Sequence, residues 1–131
     1  MSLVLACAAL SMIGCGSGHL PELGTVSGIV TLDGQPLEGA TVQFTPSLGR
    51  VSRARTGSDG AYELRYVGSE RGALLGEHKV MIITSWMDED PATGRITNHP
   101  EKLPPKYHAE SELKRTVEAG DNRFDFATTS K

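Results

Sequence analysis

The sequence from Thr25 to Leu32 alternates between apolar or small residues and mostly polar ones, and Asp33-Gly34 follows it directly. An alternation with a period of two places one face of a β-strand in a core and the other in solvent. Asp-Gly is favoured in tight hairpin turns because both residues tolerate a positive φ. The chain is therefore constrained to a fold in which a second strand begins a few residues after the first.

The same pattern recurs along the rest of the chain, and Asp59-Gly60 supplies a second tight turn before another alternating segment. No stretch after residue 20 shows the 3.6-residue period of a helix. Residues 86–104 contain acidic residues, prolines and a glycine, and we expect a long irregular excursion there. The sequence predicts an all-β antiparallel sandwich of approximately seven strands, the last two paired as a hairpin, over residues 25–32, 40–45, 53–56, 61–66, 78–84, 113–117 and 123–127.

An apolar run over residues 3–15 precedes this pattern and is too short to span a bilayer. Its end, Met-Ile-Gly-Cys15, resembles a bacterial lipoprotein signal. That resemblance implies cleavage before Cys15 and attachment of lipid to its thiol, which gives a stable membrane anchor. We therefore expect a signal peptide at 1–14, a lipidated cysteine and tether at 15–24, and the sandwich at 25–131. The alternative is a buried N-terminal strand or helix with an incidental cysteine.

Charge and cysteine content exclude several classes of site. The formal net charge is −3, which argues against a nucleic-acid partner because such proteins need a basic face. Both cysteines, Cys7 and Cys15, lie in the leader, so the body has neither a disulfide nor a cysteine metal site. We expect no metal and no cofactor.

The order of motifs resembles the carboxypeptidase regulatory-like domains, which are transthyretin-like sandwiches, and in particular the small lipoproteins of that type in planctomycete bacteria. The residues that carry the resemblance are 26–46, 56–64, 76–82, 104–113 and 120–127. It implies a sandwich fold and an extracytoplasmic, lipid-anchored location in the bacterial cell envelope. It also implies structural roles for four turn residues, Asp33, Gly34, Asp59 and Gly60.

The candidate ligand or partner surface consists of residues in or next to the excursion, Trp86, Asp88, Asp90, Tyr107 and His108. An exposed tryptophan can stack on a sugar or peptide, although it can equally close the end of the sandwich. The acidic residues faintly resemble a calcium loop without its alternating ligands, and a solvated turn is the alternative. Tyr107 is expected to dock the excursion onto the body.

Two other residue types were weighed as sites. His99 and His108 could meet the acidic residues around a zinc ion, but their spacing does not match known zinc sites and favours solvated loop histidines. Arg115 falls on the same face as Leu113 and Val117. We expect its stem to pack near an open edge, and a buried anion-binding arginine is the alternative.

No recognisable motif assembles a Ser or Cys nucleophile with a histidine and an acid, so we expect a protein that is not an enzyme. The leading hypothesis is a membrane-anchored envelope lipoprotein with a structural or protein-interaction module. The second is a carbohydrate- or peptide-binding module that uses residues 86–108. A remote third is a small-metabolite hydrolase, because hydroxyisourate hydrolase shares the general fold, although its C-terminal Tyr-Arg-Gly-Ser is absent here.

Overall fold

The structure is a computed structural model that describes residues 21–131. The predicted signal peptide and Cys15 lie outside the described residues. Within residues 21–131 no helix is long and apolar enough to cross a membrane. This part of the chain has one 3₁₀ helix, Pro105–Tyr107, and fourteen strands: β1 Leu23–Leu32, β2 Gln35–Pro36, β3 Thr41–Pro46, β4 Ser52–Arg55, β5 Ala61–Glu63, β6 Arg65–Val67, β7 Glu70–Arg71, β8 Ala73–Leu74, β9 Gly76–Ile83, β10 Trp86–Glu89, β11 Ile96–His99, β12 Lys114–Val117, β13 Gly120–Arg123 and β14 Phe126–Thr128.

The first sheet is built around β1, the longest strand. β13 and β14 pair with β1 in parallel along one of its edges. β8, β5 and β2 pair with it in antiparallel fashion along the other edge. Because β1 begins at Leu23, it includes the last two residues of the segment predicted as a tether.

The second sheet has the order β12-β9-β3-β4-β6-β7, and its neighbouring strands are antiparallel. β3 and β9 form its longest pairing, with a continuous register from Thr41 opposite Ile83 to Pro46 opposite His78. Apolar residues at every second position of both strands are buried, which is the pattern of strands with one face in a core.

The core lies between the two sheets and takes residues from both. Phe44 of the second sheet is fully buried, and its ring centroid lies 6.0 Å from that of Phe124 and 6.4 Å from that of Phe126 beside the first. Leu37 and Leu103 close the cluster from connecting segments. The prediction of an all-β sandwich is confirmed.

Asp33, Gly34, Asp59 and Gly60 all lie in turns. Asp33 and Gly34, with φ of 50° and 85°, form the two-residue turn between β1 and β2. The Asp59 carboxylate accepts the Ala61 N–H at 3.0 Å, and Gly60 follows it with φ of 78°. A Cβ on Gly28 would lie 1.9 Å from the Phe124 carbonyl oxygen, so only glycine fits this point of the strand.

Tyr62 joins the two edges of the first sheet. Its buried ring packs against Phe126, and its hydroxyl donates to the Phe124 carbonyl at 2.5 Å. Burial raises the pKa of Tyr62, and the nearby Asp125 carboxylate acts in the same direction. The predicted strand over 61–66 is nevertheless split, because β5 pairs with the first sheet and β6 with the second.

The predicted hairpin between residues 113–117 and 123–127 is wrong. β12 pairs with β9 in the second sheet, whereas β13 and β14 pair with β1 in the first. The Asn122 side chain holds this crossover, since its amide donates to the Glu118 carbonyl at 2.8 Å and the Thr25 carbonyl at 3.0 Å. Its amide oxygen accepts the Glu118 N–H at 3.0 Å.

Candidate functional site

Residues 86–99, predicted as part of an irregular excursion, form a two-stranded β-hairpin. β10 and β11 pair in register from Trp86 opposite His99 to Glu89 opposite Ile96, and within residues 21–131 they pair only with each other. The prediction failed because nearly every residue of both strands is exposed, so burial imposes no alternating pattern. We call residues 86–99 the hairpin arm.

The two faces of the hairpin arm differ. Trp86, His99, Asp88 and Thr97 share one face, because directly opposed residues and residues two apart point the same way. The other face carries Met87, exposed to 71%, and Ile96, exposed to 59%, as diagonal neighbours. This second face therefore combines an exposed apolar pair with the polar residues Glu89 and Asn98.

Glu101 holds the base of the hairpin arm. Its carboxylate accepts the Thr84 N–H at 2.9 and 3.0 Å, the Ser85 N–H at 3.2 Å and the Leu103 N–H at 3.2 Å, and it also contacts the Thr84 hydroxyl. Partial burial tends to raise the pKa of Glu101, but these hydrogen bonds outweigh it and hold that pKa below its ordinary value.

Trp86 connects the hairpin arm to the body through a three-layer stack. The His99 ring lies parallel to it, with centroids 3.8 Å apart and an interplanar angle of 2°. The Arg55 guanidinium carbon lies 4.5 Å from the Trp86 ring centroid. Since the imidazole fills one face of the indole, the guanidinium covers the other, and the arrangement is a cation–π contact. Trp86 is still 38% exposed, but a sugar that stacked on its ring would compete with His99 or Arg55.

A shallow depression of about 730 Å³ opens beside this stack at the end of the sandwich. Glu38, Arg55, His99 and Lys102 are its ionisable lining residues. Thr56 at its floor is buried and accepts the Ala40 N–H at 2.9 Å while it donates to the Leu37 carbonyl at 2.5 Å. The floor is thus closed by internal hydrogen bonds, and the charged side chains stand at the rim.

Asp88 and Asp90 lie at the far end of the hairpin arm and line a separate depression. The Asp90 carboxylate accepts the Ala92 N–H at 2.8 Å, so it stabilises the turn that joins the two strands. Across residues 21–131 no three His, Cys, Asp or Glu side chains are grouped so that they could hold a metal ion.

Tyr107 ends the 3₁₀ helix and His108 follows it, away from the hairpin arm. The Tyr107 hydroxyl accepts the Thr129 N–H at 3.0 Å and lies 3.1 Å from the Thr129 hydroxyl, which docks this segment on the C-terminal residues. Burial tends to raise the pKa of Tyr107, but the Thr129 contacts and the neighbouring Lys106 leave it below its ordinary value. The His108 ring nitrogen Nε2 lies 3.1 Å from the Leu103 carbonyl.

The five predicted surface residues therefore do not form one site. Trp86, Asp88 and Asp90 share the hairpin arm, whereas Tyr107 and His108 lie outside it. Sequence reasoning missed Arg55 and Glu101 altogether, and it considered His99 only for zinc. The stack depends on pairing across the hairpin and on a strand thirty residues earlier, and no local pattern in the sequence signals either.

Arg115, an alternative anion site in the sequence, and His78, which the sequence analysis did not single out, are both held by contacts within the fold. Arg115 is half-buried, with its guanidinium carbon 4.9 Å from the Phe126 ring centroid and a hydrogen bond to the Lys114 carbonyl at 2.7 Å. His78 is buried in the core against Phe44, and its Nε2 lies 2.6 Å from the Leu74 carbonyl. Its Nδ1 is buried without a partner among the described residues.

No protein-family model matches the sequence. No curated protein matches it significantly either. Among solved structures, the fold is similar to part of a 9R-lipoxygenase from Cyanothece PCC8801, with 11% identity and a TM-score of 0.48 over 92% of this chain and 18% of that one. It is also similar to the dioxygenase domain of a dioxygenase–carbohydrate-binding fusion from Streptomyces sp. SirexAA-E, with 15% identity and a TM-score of 0.42 over 88% of this chain and 84% of that one.

Proposed function

We propose that this chain is a non-catalytic, lipid-anchored protein of the bacterial cell envelope, and that its sandwich is an interaction module which contacts a partner protein through the hairpin arm. The observation that carries the proposal is the apolar pair Met87 and Ile96 on the outward face of the arm. Exposed apolar side chains on a protruding element are typical of protein contact sites.

The geometry of the arm supports a contact role over a folding role. Its inward face is already engaged, through the stack of Trp86 with His99 and Arg55. Its base is held by Glu101. An arm that is fixed on one side and carries an exposed apolar pair beside Glu89 and Asn98 on the other presents a pre-ordered surface, which lowers the entropic cost of binding.

The second candidate, a carbohydrate-binding module, has less support in the geometry. Sugar recognition by stacking needs an aromatic face that solvent can reach, and both faces of Trp86 are occupied. A glycan would have to displace Arg55 first. A thermal shift with a sugar panel that disappears in Trp86→Ala would favour this candidate, and hydrolysis of hydroxyisourate above background would favour the remote enzymatic one.

The lipid anchor is tested by intact mass. The full chain is expressed in a bacterium that processes lipoproteins, and the membrane fraction is analysed. We expect a chain that begins at acylated Cys15, and we expect Cys15→Ser to abolish that species while Cys7→Ser leaves it unchanged. A chain that keeps Met1, or is cut elsewhere, contradicts the anchor.

The contact role of the arm is tested by photo-crosslinking in the cells that make the protein. A photoreactive residue is placed at Met87 or Ile96, and the matched control is Leu48, which is apolar and exposed to 87% on a loop of the body. We expect a discrete crosslinked product from the two arm positions only. Equal products from all three positions, or none from the arm, contradict the proposal.

A further inference from the structure

From β12 to β6, the outer face of the second sheet carries two directly opposed pairs of like charges. Lys79 on β9 lies opposite Lys114 on β12, and Arg53 on β4 lies opposite Arg65 on β6. Arg65 also lies opposite Arg71 of the edge strand β7, and Arg71 is paired with Glu63. Like charges at directly opposed positions of a sheet repel each other and destabilise it. Two such pairs on one sheet indicate that negative charge from outside the sheet compensates the repulsion.

The four cations share one face. Lys79 and Met81 are two residues apart on β9, so their side chains point to the same side of the sheet. Met81 lies opposite Gln43 on β3, and Gln43 lies opposite Arg53 on β4, so Arg53 points to that side as well. The residues between them, such as Val80, point into the core. From β12 to β6 this face covers four strand spacings, or about 19 Å. We call it the cationic face.

Little negative charge balances the cationic face. Glu77 is the one acidic residue on β12, β9, β3, β4 and β6, and its carboxylate oxygen lies 3.9 Å from Lys114 Nζ. The sixth strand of the sheet, β7, adds Glu70 together with Arg71.

Within residues 21–131 the other two ion pairs join Arg71 to Glu63 and Arg123 to Asp125. Lys79, Arg53 and Arg65 therefore have no ion-pair partner among the described residues. Residues 1–20 contain no Asp or Glu that could neutralise them. The chain as a whole is acidic, so this concentration of positive charge is local.

The N-terminal end of the sandwich lies against the core side of β12, the edge strand whose outer side carries Lys114. A Cβ on Gly24 would be 2.9 Å from a Val117 side-chain carbon, so the start of β1 is against the end of β12. Lys114 is three residues along β12 from that point, or about 10 Å. From Cys15 to Gly24 the chain is nine residues long, which spans at most about 30 Å.

We propose that the cationic face rests on the anionic phospholipid headgroups of the membrane that holds the chain, an inference that rests on the proposed lipid anchor. The short connection keeps the sandwich within reach of the bilayer surface. Clustered basic residues are attracted to anionic lipid headgroups and lose that attraction as salt screens them. A broad sheet face fits an extended planar surface, and anionic lipid relieves the repulsion within both cation pairs.

The test measures how readily lysines react in the full lipidated chain, reconstituted in vesicles. The vesicles contain either phosphatidylcholine alone or phosphatidylcholine with phosphatidylglycerol. A trace of a water-soluble amine reagent is added, and each lysine is quantified by mass spectrometry. We expect labelling of Lys79 and Lys114 to fall about fivefold on the anionic vesicles. Lys102, Lys106 and Lys131 should be labelled equally on both, and high salt should remove the difference.

Charge variants control the experiment. Arg53→Gln should reduce the protection of Lys79 and Lys114, whereas Arg95→Gln removes the same charge in the turn of the hairpin arm and should leave it intact. Intact mass establishes the anchor independently in each preparation. An anchored chain whose two face lysines label equally on both vesicles overturns the inference and leaves the proposed anchor standing. Protection on neutral vesicles, or its loss in both charge variants, overturns it as well.

Discussion

The central strands of the sandwich and the hairpin arm are both antiparallel pairs, yet different forces hold them. β3 and β9 bury every second side chain in a core shared by two sheets. β10 and β11 bury almost nothing, and the arm keeps its place through the Glu101 hydrogen bonds and the Trp86 stack. Burial specifies the body, whereas a few polar and aromatic contacts specify the arm.

Removing apolar volume from the body should have the largest effect. We expect Phe44→Ala to lower the free energy of unfolding by about 3–5 kcal/mol, because it leaves a cavity among Phe124, Phe126 and His78. Denaturant unfolding measures this change. Leu48→Ala is the control, since that side chain is exposed and its removal should change stability little. A loss below about 1 kcal/mol for Phe44→Ala would mean that the core relaxes around the cavity.

The arm should respond to a polar change instead. We expect Glu101→Gln to cost about 1–2 kcal/mol of local stability, because one oxygen that accepts backbone N–H groups is replaced by an amide donor. Native-state hydrogen exchange of residues 86–99 should accelerate while that of β3 and β9 does not. Glu112→Gln, on an exposed residue, is the matched control. Equal acceleration in arm and core would show that Glu101 supports the whole fold.

The different forces that hold the body and the arm explain which strands could be predicted from the sequence. The alternation at Val26, Val30, Val42 and Phe44 is imposed by burial, and it predicted the strands that became β1 and β3 together with their inward faces. The pairing of β12 through β14 was mispredicted because a turn rich in Gly, Asp and Asn serves a hairpin and a crossover equally well. The deciding contacts of Asn122 are long-range, and no local pattern contains them.

The hairpin arm escaped prediction for a related reason. Its register brings Trp86 onto His99, and its docking brings Arg55 from another sheet. A period of two is visible only when one face of a strand is buried. The acidic residues and prolines of the segment were correctly associated with exposure, but exposure does not distinguish an irregular loop from a hairpin.

Acidification should destabilise the arm but not the body, reversibly and by less than the substitutions described above. The pKa of Glu101 is below its ordinary value in the folded chain. Its contribution is therefore complete above the ordinary pKa and is lost as the pH falls through the lower folded-state pKa. We expect exchange in residues 86–99 to accelerate on acidification, after correction for intrinsic rates, and to do so less in Glu101→Gln. An identical pH dependence in both proteins would exclude Glu101 as the cause.

The smallest effect should come from the apolar pair at the outward face of the arm. Met87 is exposed to 71%, so Met87→Ser removes little buried surface and should change the free energy of unfolding by less than about 0.5 kcal/mol. Chemical unfolding of the purified protein measures it. A loss of more than about 1 kcal/mol would show that Met87 packs within the fold, and it would contradict the proposal that Met87 contacts a partner. Met87→Ser should also reduce crosslinking from a photoreactive residue at Ile96, because the two side chains are diagonal neighbours. Unchanged stability together with reduced crosslinking would show that Met87 contributes to partner binding and not to folding.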